Sequence, residues 1–256
     1  MNYNYILTGI IILFIWALLI EPNILTVKHL SLKCDELKGK RIVFATDLHI
    51  KPYEMARLKK LVKRINKQNP DIVLLGGDYV NGHRKGRSMP IQDIARELGN
   101  ISAPTIGIIG NHDGWQGKEE VIQVLAANGI KILDNENIKI GELYIAGLDD
   151  IQTGHADIEK ALQNTHQPRI VLTHSPDTFP DLPEDITLVL AGHLHGGQIV
   201  LPFMKPLTVP SVYGDRYAYG LIEENNKKMF VSRGLGTSIL PMRFNCPPQI
   251  VVIDFL

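Results

Sequence analysis

The chain has 256 residues, 45% of them hydrophobic and 21% charged, with 27 basic and 27 acidic side chains. That length buries one large core, the apolar content argues against a disordered chain, and zero net charge argues against a protein that coats nucleic acid. Two cysteines exclude a disulfide-dense scaffold and a four-cysteine zinc site, whereas five of the nine histidines fall in short motifs next to Asp, Asn or Gly.

Ile6 to Ile20 reads ILTGIIILFIWALLI, uncharged, with Tyr3 and Tyr5 before it and Glu21-Pro22 after it. Met1 to Tyr5 holds no Lys or Arg, and Ala17-Leu18-Leu19-Ile20 lacks the small-residue pattern of a cleavage site. Residues 1–25 therefore read as an uncleaved hydrophobic anchor in the lipid bilayer, with a signal peptide as the alternative. Residues 26–40 read as a juxtamembrane connection. The basic residues Lys28, Lys33, Lys38, Lys40 and Arg41 all lie downstream. By the positive-inside rule they place the large domain on the cytoplasmic side of the inner membrane, the exported face being the alternative.

From Arg41 to the end, strand-like and helix-like patterns alternate, as in one α/β domain spanning 41–256. Arg41–Thr46 is a β-prone run; Met55, Leu58, Leu61, Val62 and Ile65 recur at helical spacing up to Asn69-Pro70. A strand over 71–75, a helix through Ile91, Ile94, Ala95 and Leu98, a strand over 105–109 and a helix through Val121–Leu125 follow. The second half is richer in strands: a hairpin over 138–145, then runs at 170–172, 188–190, 229–231 and 250–253.

The polar motifs sit where these strands end: Asp47-Leu48-His49, Gly76-Gly77-Asp78, Gly110-Asn111-His112-Asp113, Thr173-His174-Ser175 and Gly192-His193-Leu194-His195-Gly196-Gly197. The carboxyl ends of strands in an open α/β sheet form the ligand crevice, so five such clusters can converge. Singly, each is an ordinary turn or strand end; five in this order are not. Asp47, His49, Asp78, Asn111, His174, His193 and His195 offer carboxylate, imidazole and amide donors without thiolate, a set suited to two divalent ions such as Mn2+, Fe2+ or Zn2+. Strand alternation would place both ligands of Asp47-x-His49, and of His193-x-His195, on one face with the leucine turned away.

These motifs identify the chain, from about Arg41 to its end, as resembling the calcineurin-like metallophosphoesterases, most nearly the membrane-linked bacterial phosphodiesterases of the YaeI/YkuE type. Gly192–Gln198 and Arg243-Phe244-Asn245-Cys246-Pro247-Pro248 carry the narrower resemblance. It implies a four-layer β-sandwich flanked by helices. It assigns Asp47, His49, Asp78 and His195 to one metal and Asp78, Asn111, His174 and His193 to the other. His112 becomes the non-ligand histidine beside the scissile phosphate, hydrogen-bonded and oriented by Asp113. Many members carry a second Asp where this chain has Asn81, a departure in the support of the site. His29, His83, His155 and His166 fit no motif and read as surface residues, and Cys246 as a packing residue.

The anchor and the mixed apolar and basic loops Leu201–Leu207 and Ile239–Phe244 suggest a lipid-linked phosphate substrate, met by Lys205 or Arg243. UDP-2,3-diacylglucosamine of lipid A synthesis is the particular candidate that the resemblance raises. A generic cell-envelope phosphodiesterase is the alternative, followed by a nuclease or a non-catalytic metal-binding scaffold. Nucleic acid is not an expected partner, and no protein partner is evident.

Overall fold

The computed structural model describes residues 3–206 and 208–256. It begins with an apolar helix, α1 (Tyr3–Ile15), continued by a wider π turn and a short 3-10 turn to Asn23. Together these are long and apolar enough to cross a membrane, and almost every side chain on them is exposed. Met1 and Asn2 of the expected anchor, and Leu207 of the apolar loop, lie outside the described residues.

The remaining elements follow in chain order: β1 (Thr26–Leu32), β2 (Arg41–Ala45), α2 (Met55–Asn66), β3 (Ile72–Leu75), α3 (Ile91–Leu98), β4 (Thr105–Gly107), α4 (Asn111–Ala127) and β5 (Ile130–Ile132). Next come β6 (Glu136–Ile140), β7 (Leu143–Gly147), α5 (Ile158–Leu162), β8 (Arg169–Leu172), β9 (Leu188–Ala191), β10 (Gly220–Glu224), β11 (Lys227–Val231) and β12 (Gln249–Phe255). They build two six-stranded mixed sheets, in the orders β1-β12-β2-β3-β4-β5 and β10-β11-β9-β8-β7-β6.

Runs such as Ile72-Val73-Leu74-Leu75 and Leu188-Val189-Leu190 are apolar at every position, which suits strands covered on both faces. The pleat divides them. Phe44, Leu74, Ile106, Ile145, Leu172, Leu190 and Val251 meet between the sheets. Val43, Val73 and Leu75 face the helices, where Leu58, Leu61, Val62 and Ile65 of α2 and Ile94, Ala95 and Leu98 of α3 bury their predicted stripes. On the far side Val171, Val189 and Val231 pack under Phe179, Leu182 and Tyr217. Helices, sheet, sheet and an outer layer of short turns make four layers, the architecture the resemblance implies.

One stretch departs from expectation. Thr26–Leu32, inside the expected connection 26–40, is a strand paired in parallel with β12 from Thr26 opposite Gln249 to Leu32 opposite Phe255. It lies at the edge of its sheet, where Leu30 and Leu32 turn into the core between the sheets and Val27 packs against the core on the helix side.

Candidate metal centre

Parallel strands β2, β3 and β4 of one sheet and β8 and β9 of the other end on the same rim, so the five motif loops converge. The way they do so differs from the strand alternation expected. β2 stops at Ala45, and Asp47 (φ 54°) and His49 (φ 42°) both adopt left-handed backbone, as do Asp78 (55°), His193 (69°) and His195 (51°). Alternate left-handed residues turn Leu48 and Leu194 into the cores on either side while their polar neighbours face the rim. Asp and His tolerate this region better than most residues, though at a cost.

Around the rim, His49 Nε2 lies 3.1 Å from His195 Nε2 and 3.3 Å from Asp78 Oδ2. His174 Nε2 lies 3.3 Å from the same Asp78 oxygen and 3.0 Å from Asn111 Oδ1. The other Asp78 oxygen accepts the His112 backbone N–H at 2.8 Å, at the amino end of α4, so Oδ2 is the one left facing both imidazoles. Asp47 Oδ1 accepts the backbone N–H of His193 at 2.9 Å. His193 packs its ring 5.0 Å from that of His174. His174 Nδ1 donates to the Gly76 carbonyl at 2.8 Å, which fixes the ring with Nε2 inward.

The cluster is dry. Burial pushes Asp47 up to about 6 and pulls His49 and His193 each down to about 3. Burial also lowers His174, but the carboxylates of Asp78, Asp47 and Asp150 outweigh it and raise that imidazole to about 10. Burial alone would raise Asp78; His174 and His49 hold it well below the usual carboxylate range. The residues fit a metal pair. Asp47 Oδ2 and His49 Nδ1 are buried polar atoms without a partner, and Asp47, His49 and His195, or Asp47, Asp78 and His174, bring donor atoms within 4.8 Å of one another. A Cβ added at Gly110 would collide with Asp78 Oδ1, and one at Gly192 would press on Asp47 Oδ2, so the backbone there must be bare.

Three sequence expectations change. Asp113 does not meet the His112 ring: its carboxylate accepts backbone N–H groups of Asp78 (2.7 Å), Tyr79 (2.9 Å), Val80 (3.1 Å) and Gly110 (3.1 Å), tying the second motif loop to the third. Lys205, 82% exposed, pairs with Asp215 at 2.8 Å and stands outside the cluster. Arg243 is not on a rim. Its guanidinium is wholly buried beneath His195, donating to the carbonyls of Gly236, Cys246 and Arg233, and burial lowers it to about 10.

His112 lies beside the cluster, its ring edge-on to His49 at 4.6 Å, and it lines a cavity of about 450 Å³. His83, exposed as expected, nevertheless packs its ring at a tilt against Trp115 (4.2 Å) and edge-on to His112 (5.2 Å). Sequence reading also passed over Gln152, whose amide sits 3.0 Å from His193 Nε2, and Asp150, which orders the turn that carries it. Gly147-Leu148-Asp149-Asp150 after β7 shows the same apolar-run-then-acid pattern as the recognised motifs, so a signal was present. Asn81 bonds the Arg87 carbonyl at 2.9 Å and supports the loop above the cavity.

Two stacked sheets with a buried Asp–His–Asn cluster where parallel strands end define an α/β metallophosphoesterase. Residues 40–197 match the calcineurin-like phosphoesterase family, and the chain belongs to it. It is 31% identical to the uncharacterized metallophosphoesterase YkuE of Bacillus subtilis (93% of this chain, 87% of that protein). It is 30% identical to the phosphodiesterase YaeI of Escherichia coli (84% and 82%). A dimetal phosphatase from Danio rerio shares the fold at TM-score 0.51 and 11% identity, covering 77% of this chain and 88% of that one. The protein is therefore a hydrolase of phosphoric esters in a family that uses divalent metals.

Proposed function

We propose that the protein is a two-metal phosphodiesterase acting on a lipid-linked phosphate ester or anhydride from an anchored position in the inner membrane, with its domain in the cytoplasm. The buried convergence of Asp47, His49, Asp78, Asn111, His174, His193 and His195 carries the reading. Asp47, His49, Asp78 and His195 would hold one ion, and Asp78, Asn111, His174 and His193 the second, with Asp78 shared. Bound divalent ions, Mn2+, Fe2+ or Zn2+, supply Lewis acidity and a water of lowered pKa.

The chain's own groups do the rest. The His112 backbone N–H holds the Asp78 carboxylate with Oδ2 turned toward His49 and His174, and Asp113 locks the two loops that present them. The His112 ring, in the wall of the cavity beside the cluster, gives a proton to the leaving oxygen and offsets charge that develops on the phosphoryl group. The buried surroundings strengthen both effects.

The membrane part is supported by how the first helix joins the domain. Arg243 N–H donates to the Ala17 carbonyl at 2.9 Å, and buried Glu21 accepts the Asn245 N–H at 3.0 Å and the Cys246 N–H at 2.5 Å. The same loop supplies Thr237–Pro241 to the cavity, with Ile239 98% and Leu240 50% exposed at its lip. An apolar lip next to the helix suits a substrate drawn from the bilayer. UDP-2,3-diacylglucosamine is one such substrate; a generic envelope phosphodiester is the other reading.

The test uses detergent-solubilised protein, stripped of metal and reconstituted with manganese. Release of UMP from UDP-2,3-diacylglucosamine would establish that substrate. Cleavage of bis(p-nitrophenyl) phosphate alone would leave a phosphodiesterase acting elsewhere. Asp78→Ala should abolish either reaction and lower bound metal; retention of activity in that variant would overturn the two-metal reading. A carboxyl-terminal reporter active only in the periplasm would overturn the cytoplasmic placement.

A further inference from the structure

We infer that the cavity beside His112 is a subsite for a second anionic group, so that the alcohol or phosphate leaving the scissile phosphorus itself carries a phosphate or carboxylate. The inference rests on the phosphodiesterase reading above and names its substrate class.

The cavity runs from the His112 ring to the segments 81–87 and 237–241. Its wall carries Lys51, Arg84 and Arg87 as well as His83 and, among the described residues, no carboxylate. The nearby acids are already engaged: Glu54 pairs with Arg57 at 3.0 Å and takes the Lys51 backbone N–H at 3.0 Å, while Glu120 is held by Lys85 and by Gln92. Among the described residues the Arg84 and Arg87 guanidinium groups have no ion pair or hydrogen bond, and Lys51 Nζ meets only the Thr237 hydroxyl at 3.1 Å. Some surface cations elsewhere do find acids, as in Lys40–Asp71, Lys131–Glu136 and Arg216–Glu224, and the unpaired ones of α2, such as Lys59, Lys60 and Lys63, do not line this cavity. Cations gathered around one concavity repel each other and raise the local concentration of anions.

The loop that carries the arginines is also built in place. Gln116 donates to the Asn81 and Gly82 carbonyls at 2.9 and 2.7 Å, and Asn81 donates to that of Arg87 at 2.9 Å. Guanidinium forks on a fixed backbone suit paired oxygens of phosphate or carboxylate. A phosphoryl group at the metal cluster would leave these cations unused, since His112 lies between. The anion that they hold therefore sits on the leaving side, where His112 protonates. In the hydrolysis a P–O bond forms to water oxygen, the P–O bond to the leaving oxygen breaks, and that oxygen takes the proton.

Two diesters test this with full-length protein in detergent and manganese: bis(4-nitrophenyl) phosphate, and its analogue with a carboxylate on each ring, bis(3-carboxy-4-nitrophenyl) phosphate. The wild type should favour the carboxylated diester about tenfold in kcat/KM, chiefly through KM, and the preference should shrink with added salt. In the Arg84→Gln/Arg87→Gln variant the ratio should fall below about threefold, and Arg84→Lys/Arg87→Lys, which keeps the charge and loses the fork, should restore part of it. No preference in the wild type, or one that the glutamine variant keeps, overturns the subsite. Equilibrium binding of 5-hydroxy-2-nitrobenzoate against 4-nitrophenol reads the subsite without turnover. Selective binding lost in the glutamine variant, with neither diester cleaved, would sink the phosphodiesterase reading and leave the subsite standing. Cleavage without selective binding by the wild type would do the reverse.

Discussion

Asp113 shows how a single side chain can matter to a site whose chemistry it never touches. Its carboxylate closes four backbone N–H groups on two loops, and those loops carry Asp78, Asn111 and His112. Left without an acceptor, each buried N–H costs about 1–3 kcal/mol, partly recovered by relaxation. Asp113→Ala should therefore lose at least about 3 kcal/mol, a fall of roughly 6–12 °C in melting temperature for a domain of this size. A loss under about 1 kcal/mol, measured by thermal unfolding, would show that the loops hold themselves. His112→Ala is the contrasting case: metal content and melting temperature should stay near wild type while turnover falls about 10²- to 10⁴-fold. Full activity in that variant would refute the proton-donor role. The sequence announced which residues gather, because Asp, His and Asn after apolar runs are chemically conspicuous. It did not announce what Asp113 binds or that Arg243 is buried. Those facts depend on which backbone N–H and C=O groups the fold leaves without partners, and no local pattern records that.

At the scale of elements, legibility followed periodicity and length. The stripes of α2 and α3 and the apolar runs of β3, β8, β9 and β12 were plain, as was the hairpin β6–β7 around Gly141-Glu142. The three-residue β5 is too short to show alternation, and α5 spans a single turn and a half. β1 was hidden for another reason: Thr-Val-Lys-His-Leu-Ser-Leu exposes Lys28, His29 and Ser31, so after an apolar leader without Lys or Arg it resembles a linker. Its pairing makes it part of the fold. A chain beginning at Glu21 retains β1 and the Glu21 bonds to Asn245 and Cys246, and should melt within a few degrees of the full protein. One beginning at Cys34 bares the flank of β12 and uncovers the core beneath Leu30 and Leu32, an exposed edge prone to aggregation. Equal solubility and melting of the two chains would show that β1 is dispensable.

For the whole molecule the consequential relation is between the first helix, the cavity and the two ends of the sheets. The helix is not simply tethered to the domain, since Ala17 and Glu21 are bonded to the segment 243–246, which continues directly from the cavity lip at 237–241. If this junction persists in a bilayer, the lip is held close to the surface while the opposite end of the strands points away. The β6–β7 turn is at that opposite end, because β7 leaves it and runs toward the rim in parallel with β8. Single cysteines at Ile239 and Glu142, in a background with Cys34 and Cys246 replaced, give two reporters for an environment-sensitive dye; both positions are exposed, at 98% for Ile239 and 71% for the Glu142 side chain. Reconstitution into vesicles should blue-shift the dye at 239 and let brominated lipids quench it, and should leave the dye at 142 in water. Equal spectra at both positions would mean that the domain hangs free on its helix, and the substrate would then have to reach the cavity through water.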